Sequence, residues 1–385
     1  MIFGIEIAGE AVRPGITLAG VKDPRGWGMR AIMTAAVLAA GLATSAAAEI
    51  PTLGPGPKLK IVTVTQSGPT VPQFTKVDIP YFRDIVPQKS GGRIEMTYAS
   101  WAEMNLTGQE IIRLTRSGQV DIGGAPLSTV SGDVPLLDGI DLAGLNPDIG
   151  QARKVAEAMI PVANKDLEKF NTKIIGVFPY PAQVLWCKKG MTGLADLKGR
   201  KIRTFGPSLN DLVLAIGGQP ISIGFPEVYS ALERGVAECA VTGTGSGNAA
   251  KWFEVTTTIY TLTVSWSTAA YYANLGWWNK LDPAVRDFMT AVINEVQDKQ
   301  WELGAAATQD GIDCNLGKAD GCKIHTLVTK DPMTEVKPTD ADKKWLREIL
   351  VENVLPGWVK RCGDRCGTIY NEVMAPITGI KYAAK

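Results

Sequence analysis

Between Leu194 and Gly243, short runs of apolar residues alternate between strand-like and helix-like spacing. This pattern predicts a strand, a helix, a strand, a helix and a strand, in that order. The predicted strands are 201–205, 220–223 and 236–242, and the predicted helices are 208–216 and 226–234. Gly217, Gly218 and Gly235 follow the two helices, where a left-handed residue commonly ends a helix. Such alternation indicates an α/β sheet, whose ligands bind beyond the carboxyl ends of the strands.

The remainder of the chain continues the alternation. Further strands are predicted at 60–66, 94–98, 119–123, 173–178 and 182–187, and further helices at 74–86, 111–117 and 150–170. Pro80 is expected to kink the first of these helices. Residues 257–273 form a second extended region, rich in Thr, Tyr and Trp. Apolar residues from Val285 to Leu303 recur at helical spacing after Asp282, which predicts one long helix. More helices are expected within 340–382.

The N-terminal part of the chain has the pattern of an export signal. Met29 and Arg30 precede the apolar run 31–43, and three alanines at 46–48 provide a small-residue cleavage site before Glu49. The apolar run is too short to span a membrane. We therefore expect residues 1–48 to be an upstream extension and a signal peptide, with Met29 as the initiator. The mature protein is expected in the periplasm.

Composition excludes several classes of function. The chain has 385 residues, of which 45% are hydrophobic and 21% charged, with a formal net charge of +1. This length accommodates two domains with cores of their own, and the charge predicts no nucleic-acid partner. A single histidine, His325, leaves little room for histidine catalysis or a multi-histidine metal site. The glycine-rich run 243–247 lacks the lysine of a phosphate-binding loop. No metal, no cofactor and no enzymatic activity are predicted.

Six cysteines suit an oxidising compartment. Cys314 and Cys322 enclose one short loop and Cys362 and Cys366 another, so we expect a disulfide within each pair. Cys187 and Cys239 lie in apolar strands, where buried free thiols and a bridge between them both remain possible. The pattern does not decide between these two alternatives.

Arg203 is the first candidate for chemistry. It lies near the carboxyl end of the predicted strand 201–205, just before a predicted helix N-terminus at Pro207. A guanidinium beside free backbone N–H groups can clamp a carboxylate. Because most arginines are exposed, a surface ion pair is the commoner arrangement on chemistry alone.

Two stretches around Arg203 carry a resemblance to a known family. DLKGRKIRTFG at 196–206 and GGQPISIGFPEVYSALERGVAE at 217–238 resemble the signature of DctP-type solute-binding proteins of tripartite ATP-independent periplasmic (TRAP) transporters. Weaker similarity extends from about Lys60 to Tyr382 and includes YASWAEMNLTGQEIIRLTRSGQVDIGG at 98–124. The resemblance implies a two-lobed periplasmic-binding-protein-like α/β fold of type II, with a long helix bracing both lobes. Lobe I is expected at 58–180 with 267–305 returning to it, and lobe II at 181–266 with 306–385 packing on it.

The resemblance also implies a set of ligand-binding residues. In the family, the arginine at the position of Arg203 holds the carboxylate of an organic acid. Family positions and aromatic content predict further contacts from Gln66, Trp101, Gln183, Phe225, Thr242 and Trp266. Thr242 stands where relatives commonly have Asn, and Gln183 falls on or near a second arginine of sialic-acid-binding relatives, so that substrate is not transferred. Glu103 and Asn105 are candidate polar groups at the rim. The aromatic residues favour a larger, less polar acid over a succinate-like one.

The function implied is an extracytoplasmic solute-binding subunit that captures an organic acid and delivers it to a membrane permease. It performs no chemistry, and its two lobes close around the ligand. One alternative is a sensor of the same fold that signals ligand occupancy to a partner. The other is a periplasmic enzyme, against which stand the single histidine and the lack of a nucleophile motif.

Overall fold

The computed structural model describes residues 50–384, and two β-sheets organise this part of the chain. In chain order the strands are β1 (Leu59–Val64), β2 (Ile94–Ala99), β3 (Ile122–Pro126), β4 (Thr172–Phe178), β5 (Gln183–Cys187), β6 (Lys201–Thr204), β7 (Gln219–Ser222), β8 (Cys239–Gly243), β9 (Thr258–Ser265), β10 (Ala269–Asn274) and β11 (Thr334–Val336). The first sheet has the order β2-β1-β3-β10-β4, and the second has the order β11-β9-β5-β8-β6-β7. The chain therefore crosses between the sheets three times, from β4 to β5, from β9 to β10 and from β10 to β11.

Helices cover the sheets. In chain order they include α1 (73–89), α2 (Ile111–Ser117), α3 (Ile149–Leu167), α4 (Pro207–Ala215), α5 (Val228–Glu233), α6 (Thr244–Ala249), α7 (Leu275–Lys280) and α8 (Pro283–Asn315). Single 3₁₀ turns occur at Ala102–Met104, Glu168–Phe170, Leu194–Leu197, Phe225–Glu227 and Trp252–Glu254, and a longer 3₁₀ segment at Pro135–Asp141. Two further helical stretches, 340–362 and 364–378, form the C-terminal tail. Strands β3, β5 and β8 are buried along their whole length, as expected for strands covered on both faces.

The predicted alternation around Arg203 is confirmed. Strands β6, β7 and β8 run parallel in the sheet order β7-β6-β8, with α4 and α5 as the intervening helices. Gly217 and Gly235 follow these helices with φ of 79° and 74°, the left-handed conformation that glycine adopts without a steric penalty. Local helix-ending signals were therefore sufficient to place these elements.

The long helix predicted from Val285 to Leu303 is also confirmed and extends further, over Pro283–Asn315. Its first half buries apolar side chains against the first sheet, and its second half packs on α6 beside the second sheet. Gly311 makes this second contact possible, because a Cβ there would lie 2.5 Å from the backbone nitrogen of Gly245. One helix thus contacts structure belonging to both sheets.

Helix α1 contains two wide π turns, Gln73–Asp78 and Pro80–Ile85, and Pro80 begins the second of them. The C-terminal tail contacts both α3 and α4. Arg361 in the tail forms ion pairs with Asp138 at 3.3 Å and with Asp211 of α4 at 2.8 Å.

Three disulfides join the six cysteines. The predicted bridges Cys314–Cys322 and Cys362–Cys366 are confirmed. The open question at Cys187 and Cys239 is decided by strand register. These residues are direct partners in the antiparallel pair β5–β8, with their Cα atoms 4.1 Å apart.

Within residues 50–384, no helix is long and apolar enough to cross a membrane. The predicted upstream extension, the signal peptide and the expected start at Glu49 lie outside the described residues.

Candidate functional site

A cavity of about 230 Å³ lies where strands from both sheets end. Residues that follow β1, β2, β3 and β4 line one side, and residues of β6, β7 and β8 with the turns after them line the other. This is the position that the strand pattern predicts for a ligand in an α/β fold. Arg203, near the end of β6, contributes the largest fully buried cationic side chain to the lining.

Arg203 is 2% exposed, and its guanidinium is only partly satisfied by the protein. Nε donates to the carbonyl oxygen of Ile223 at 2.9 Å, and Nη1 donates to that of Val241 at 2.8 Å. Nη2 donates to no residue of the described part of the chain, and no acidic side chain there forms an ion pair with Arg203. The rings of Phe205 and Trp252 have their centroids 5.3 and 5.8 Å from the guanidinium carbon.

Burial without a counter-charge has an electrostatic consequence. It lowers the pKa of Arg203 to about 9, because removing a cation from water disfavours its charged form. The group remains protonated at neutral pH, so the cavity contains an uncompensated positive charge. A carboxylate bound there would supply the missing charge and accept the remaining N–H groups in a two-pronged arrangement.

Four other predicted site residues share this cavity. They are Trp101, Gln183, Phe225 and Thr242. Phe225 stacks on Trp252 with 5.6 Å between ring centroids, which makes an aromatic wall beside Arg203. Gln183 of β5 and Thr242 of β8 are 2% and 3% exposed. These two strands are paired, with Gln183 opposite Gly243 and Val184 opposite Thr242. Trp101 is anchored by its indole N–H, which donates to the Gly124 carbonyl oxygen at 2.9 Å.

Two predicted residues, Gln66 and Trp266, do not line the cavity. Gln66 has a positive φ of 61°, and its side chain turns into the protein, where Nε2 donates to Asp78 and Oε1 accepts from the Tyr180 hydroxyl. The indole of Trp266 donates to the carbonyl oxygen of Asn146 and is buried in the core. The neighbours Ser67 and Ser267 line the cavity instead.

The two candidate rim residues are also absent from the lining. Glu103 accepts hydrogen bonds from the backbone nitrogen and the hydroxyl of Ser100, which fixes the turn after β2. Asn105 ends the 3₁₀ turn Ala102–Met104 in the left-handed conformation. Both residues therefore have a structural role in the loop that presents Trp101.

Several cavity residues were missed by the sequence reasoning. Among them are Tyr180, Asn210, Arg113 and Asp133. Asn210 accepts from the Thr204 hydroxyl at 2.5 Å, and its amide nitrogen has no hydrogen-bond partner within residues 50–384. The position of Asn210 one turn into α4, beside Arg203, was the available signal. Arg113 and Asp133 are 20 residues apart, and nothing in the local pattern pairs them.

Residues from the two sides meet around the cavity. A Cβ at Gly206, which follows β6, would lie 2.6 Å from Ser128, and a Cβ at Gly224 would lie 2.8 Å from Thr107. The Thr129 hydroxyl donates to the carbonyl oxygen of Phe205 at 3.4 Å. Gly206 has an extended backbone that any residue adopts, so the close approach, and not the conformation, requires glycine there.

Among residues 50–384, no cluster of three or more His, Cys, Asp or Glu side chains could hold a metal ion. His325 lies away from the cavity lining and bonds through Nδ1 to Asp310 at 2.7 Å. Burial lowers the pKa of His325, which favours its neutral form.

Comparison with known proteins decides the family. Residues 64–340 match the model of the DctP family, described as bacterial extracellular solute-binding protein, family 7. The chain belongs to this family. The resemblance inferred from the motifs at 196–206 and 217–238 is thereby confirmed. Members of this DctP family are solute-binding proteins, so the chain is a binding protein and not an enzyme.

Individual relatives are distant. A solute-binding protein of Sulfitobacter sp. (strain NAS-14.1) is 25% identical over 185 residues, which are 47% of this chain and 56% of that protein. The alignment thus spans about half the length of this curated relative. The crystal structure of DctP7 from Bordetella pertussis, an extracytoplasmic solute receptor binding pyroglutamic acid, has a TM-score of 0.71 at 20% identity. The structural alignment covers 80% of this chain and 97% of DctP7.

A second solved structure supports the same fold. A TRAP periplasmic solute-binding protein from Desulfovibrio salexigens, solved with bound orotic acid, has a TM-score of 0.72 at 17% identity. The structural alignment covers 83% of this chain and 100% of the Desulfovibrio salexigens protein. The predicted two-lobed α/β fold of type II is confirmed by these likenesses.

Proposed function

We propose that this DctP-family protein is the solute-binding subunit of a TRAP transporter, which captures an organic acid and delivers it to a membrane permease. The carboxylate of the acid binds Arg203 within the cavity. One observation carries this proposal: Arg203 is 2% exposed, has no acidic partner in the described part of the chain and lines a cavity. A buried, uncompensated charge is costly to a fold, and it is retained where a ligand completes it.

The other cavity residues suit the remainder of such an acid. Gln183, Thr242 and Asn210 supply polar groups, and Phe225 and Trp101 supply apolar surface. A few placed polar groups on an otherwise apolar lining are typical of a small-molecule site. A cavity of about 230 Å³ has room for a small acid. Pyroglutamic acid and orotic acid, the ligands of the two solved relatives, are acids with one carboxylate and a ring.

The mechanism is closure of two lobes around the acid, followed by recognition of the closed form by the permease. The proposed lobes are 58–180 with 267–305, and 181–266 with 306–385. Strands of the first sheet fall within the first set and those of the second sheet within the other. Gly206 of the second set approaches Ser128 of the first so closely that an added Cβ would lie 2.6 Å from Ser128. Export to the periplasm belongs to the same proposal.

The test begins with a thermal-shift screen of organic acids, including pyroglutamate, orotate and sugar acids, followed by titration calorimetry with the acid that gives the largest shift. Arg203→Ala should lose affinity by about 2–5 kcal/mol, because the carboxylate is left desolvated without its partner. Arg203→Lys keeps the charge but loses the planar guanidinium that can bind both carboxylate oxygens, so this variant should also bind the acid weakly.

Arg200→Ala is the matched control. Arg200 lies three positions before Arg203, but its guanidinium donates to the carbonyl oxygens of Lys189 and Gly190 and lies outside the cavity. This variant should bind as the parent does. If Arg203→Ala binds within about threefold of the parent, a difference below about 1 kcal/mol, then Arg203 is not the anchor.

A further inference from the structure

A charged pair lines the cavity on the side of the first sheet. It consists of Arg113 of α2 and Asp133 of the segment after β3. Arg113 Nε donates to Asp133 Oδ2 at 3.1 Å, and Nη2 donates to Oδ1 at 3.2 Å. Two parallel hydrogen bonds hold a guanidinium and a carboxylate in one defined arrangement. The Asp133 side chain is 26% exposed and that of Arg113 is 72% exposed, so the carboxylate is the more enclosed partner.

Three charged side chains among the described residues line the cavity, namely Arg203, Arg113 and Asp133. Arg113 and Asp133 neutralise each other, and Arg203 alone is uncompensated. The lining therefore carries one net positive charge, which balances one carboxylate.

We propose that Asp133 makes the site selective for acids with a single carboxylate. This inference rests on the proposed function, because it requires the first carboxylate to bind Arg203. A second carboxylate that approaches this pair competes with Asp133 for the Arg113 guanidinium and meets the like charge of Asp133, which disfavours its binding. Arg113 cannot act as a second clamp without giving up Asp133. Asp133 thus determines specificity by penalising the competing ligand, while Arg203 supplies the attraction.

The experiment compares pairs of acids that differ in the number of carboxylates. Suitable pairs are pyroglutamate with glutarate and benzoate with phthalate. If the parent binds neither pair, the acid with the largest thermal shift and its analogue with an added carboxylate replace them. Titration calorimetry of the parent should give at least tenfold tighter binding of the acid with one carboxylate.

Two variants then separate the roles of the charged pair. Asp133→Asn keeps the shape, removes the negative charge and frees Arg113, so it should shift the affinity ratio at least tenfold towards the acid with two carboxylates. Arg113→Gln leaves Asp133 uncompensated, so it should weaken both acids and the one with two carboxylates more. Asp320→Asn, at an exposed position outside the cavity, is the control and should leave the ratio unchanged.

Equal affinity of the parent for both members of a pair would overturn the inference. A ratio that changes less than twofold in Asp133→Asn would do the same. Arg203→Ala distinguishes these failures from failure of the proposed function. If Arg203→Ala still binds the acid with one carboxylate as the parent does, the clamp itself is wrong. If Arg203→Ala loses binding but Asp133→Asn leaves the ratio unchanged, only the selectivity is wrong.

Discussion

Each side of the molecule buries an ionisable group that has no counter-ion among residues 50–384, and two such groups, Asp78 and Arg203, differ in how many hydrogen bonds they form. Asp78, beside the first sheet, is fully buried and accepts four hydrogen bonds. Oδ2 accepts from Thr65 at 2.6 Å and from Gln66 at 2.9 Å, and Oδ1 accepts from Tyr271 at 2.5 Å and from Gln300 at 2.8 Å. Both oxygens are thus saturated by neutral donors.

Arg203, beside the second sheet, is left incomplete. Two backbone carbonyl oxygens accept from it, and Nη2 has no partner within residues 50–384. The comparison shows that burial of a charge alone does not identify a binding site. A saturated charge such as Asp78 stabilises a particular arrangement of the chain, whereas an unsaturated charge that lines a cavity is available to a ligand.

The comparison predicts the largest effect on folding at Asp78. Asp78→Ala removes the acceptor of four buried hydrogen bonds, and it should lower the free energy of unfolding by about 3–5 kcal/mol. Arg203→Met, in contrast, removes an uncompensated charge and should change the free energy of unfolding of the ligand-free protein by less than about 1 kcal/mol. Urea unfolding monitored by fluorescence measures both. The contrast fails if Arg203→Met is as destabilising as Asp78→Ala.

The pH dependence of stability sharpens the same contrast. Burial raises the pKa of Asp78 to about 6, so the folded protein keeps this proton at pH values where the unfolded chain has released it. The contribution of Asp78 to the free energy of unfolding is therefore greatest below about pH 4 and declines as the pH rises through about 6, by roughly 2–3 kcal/mol in all. Asp78→Asn lacks this decline.

Urea unfolding of the parent and of Asp78→Asn between pH 4 and pH 7 isolates the contribution of this one carboxyl group. The difference in free energy of unfolding between the two proteins should change in favour of Asp78→Asn as the pH rises. A difference that stays constant over this range would show that Asp78 titrates as an ordinary exposed aspartate does.

A smaller effect, on ligand affinity, is expected where Gly206 approaches Ser128. Gly206→Ala places a methyl group against Ser128 and should hold the sides apart, which weakens ligand binding about tenfold, or roughly 1.4 kcal/mol. The free energy of unfolding should change little, because the backbone of Gly206 is ordinary extended chain. Calorimetry with the acid found by screening measures the affinity.

Gly132→Ala is the control for this variant. Gly132 also lines the cavity, but a Cβ there would meet nothing within 4 Å. Its affinity should stay within about twofold of the parent, a difference below about 0.5 kcal/mol. Equal weakening by both alanines would mean that the close contact with Ser128 is irrelevant to binding.

The sequence predicted the structure best where one short segment contains all the residues that determine its elements. The unit from Lys201 to Gly243 has apolar spacing, helix-ending glycines and an arginine near the end of a strand, and all of these appear in the structure as predicted. The long helix was predicted as far as Leu303 for the same reason, since its apolar stripe is continuous along the sequence, and the structure extends it to Asn315. Five of the seven predicted site residues line the cavity, and apart from Arg203 they were predicted from the family resemblance rather than from periodicity.

The sequence by itself therefore determined the α/β class, the position of Arg203 and two of the three disulfides, all of which depend on neighbours within one element or loop. Tertiary structure decided what depends on distant partners. Asp78 draws Gln66 away from the cavity, the β5–β8 register brings Cys187 against Cys239, and Arg113 finds Asp133 across 20 residues. Hydrogen bonds and ion pairs act over a few ångströms, so their partners are set only once the sheets and loops are in place.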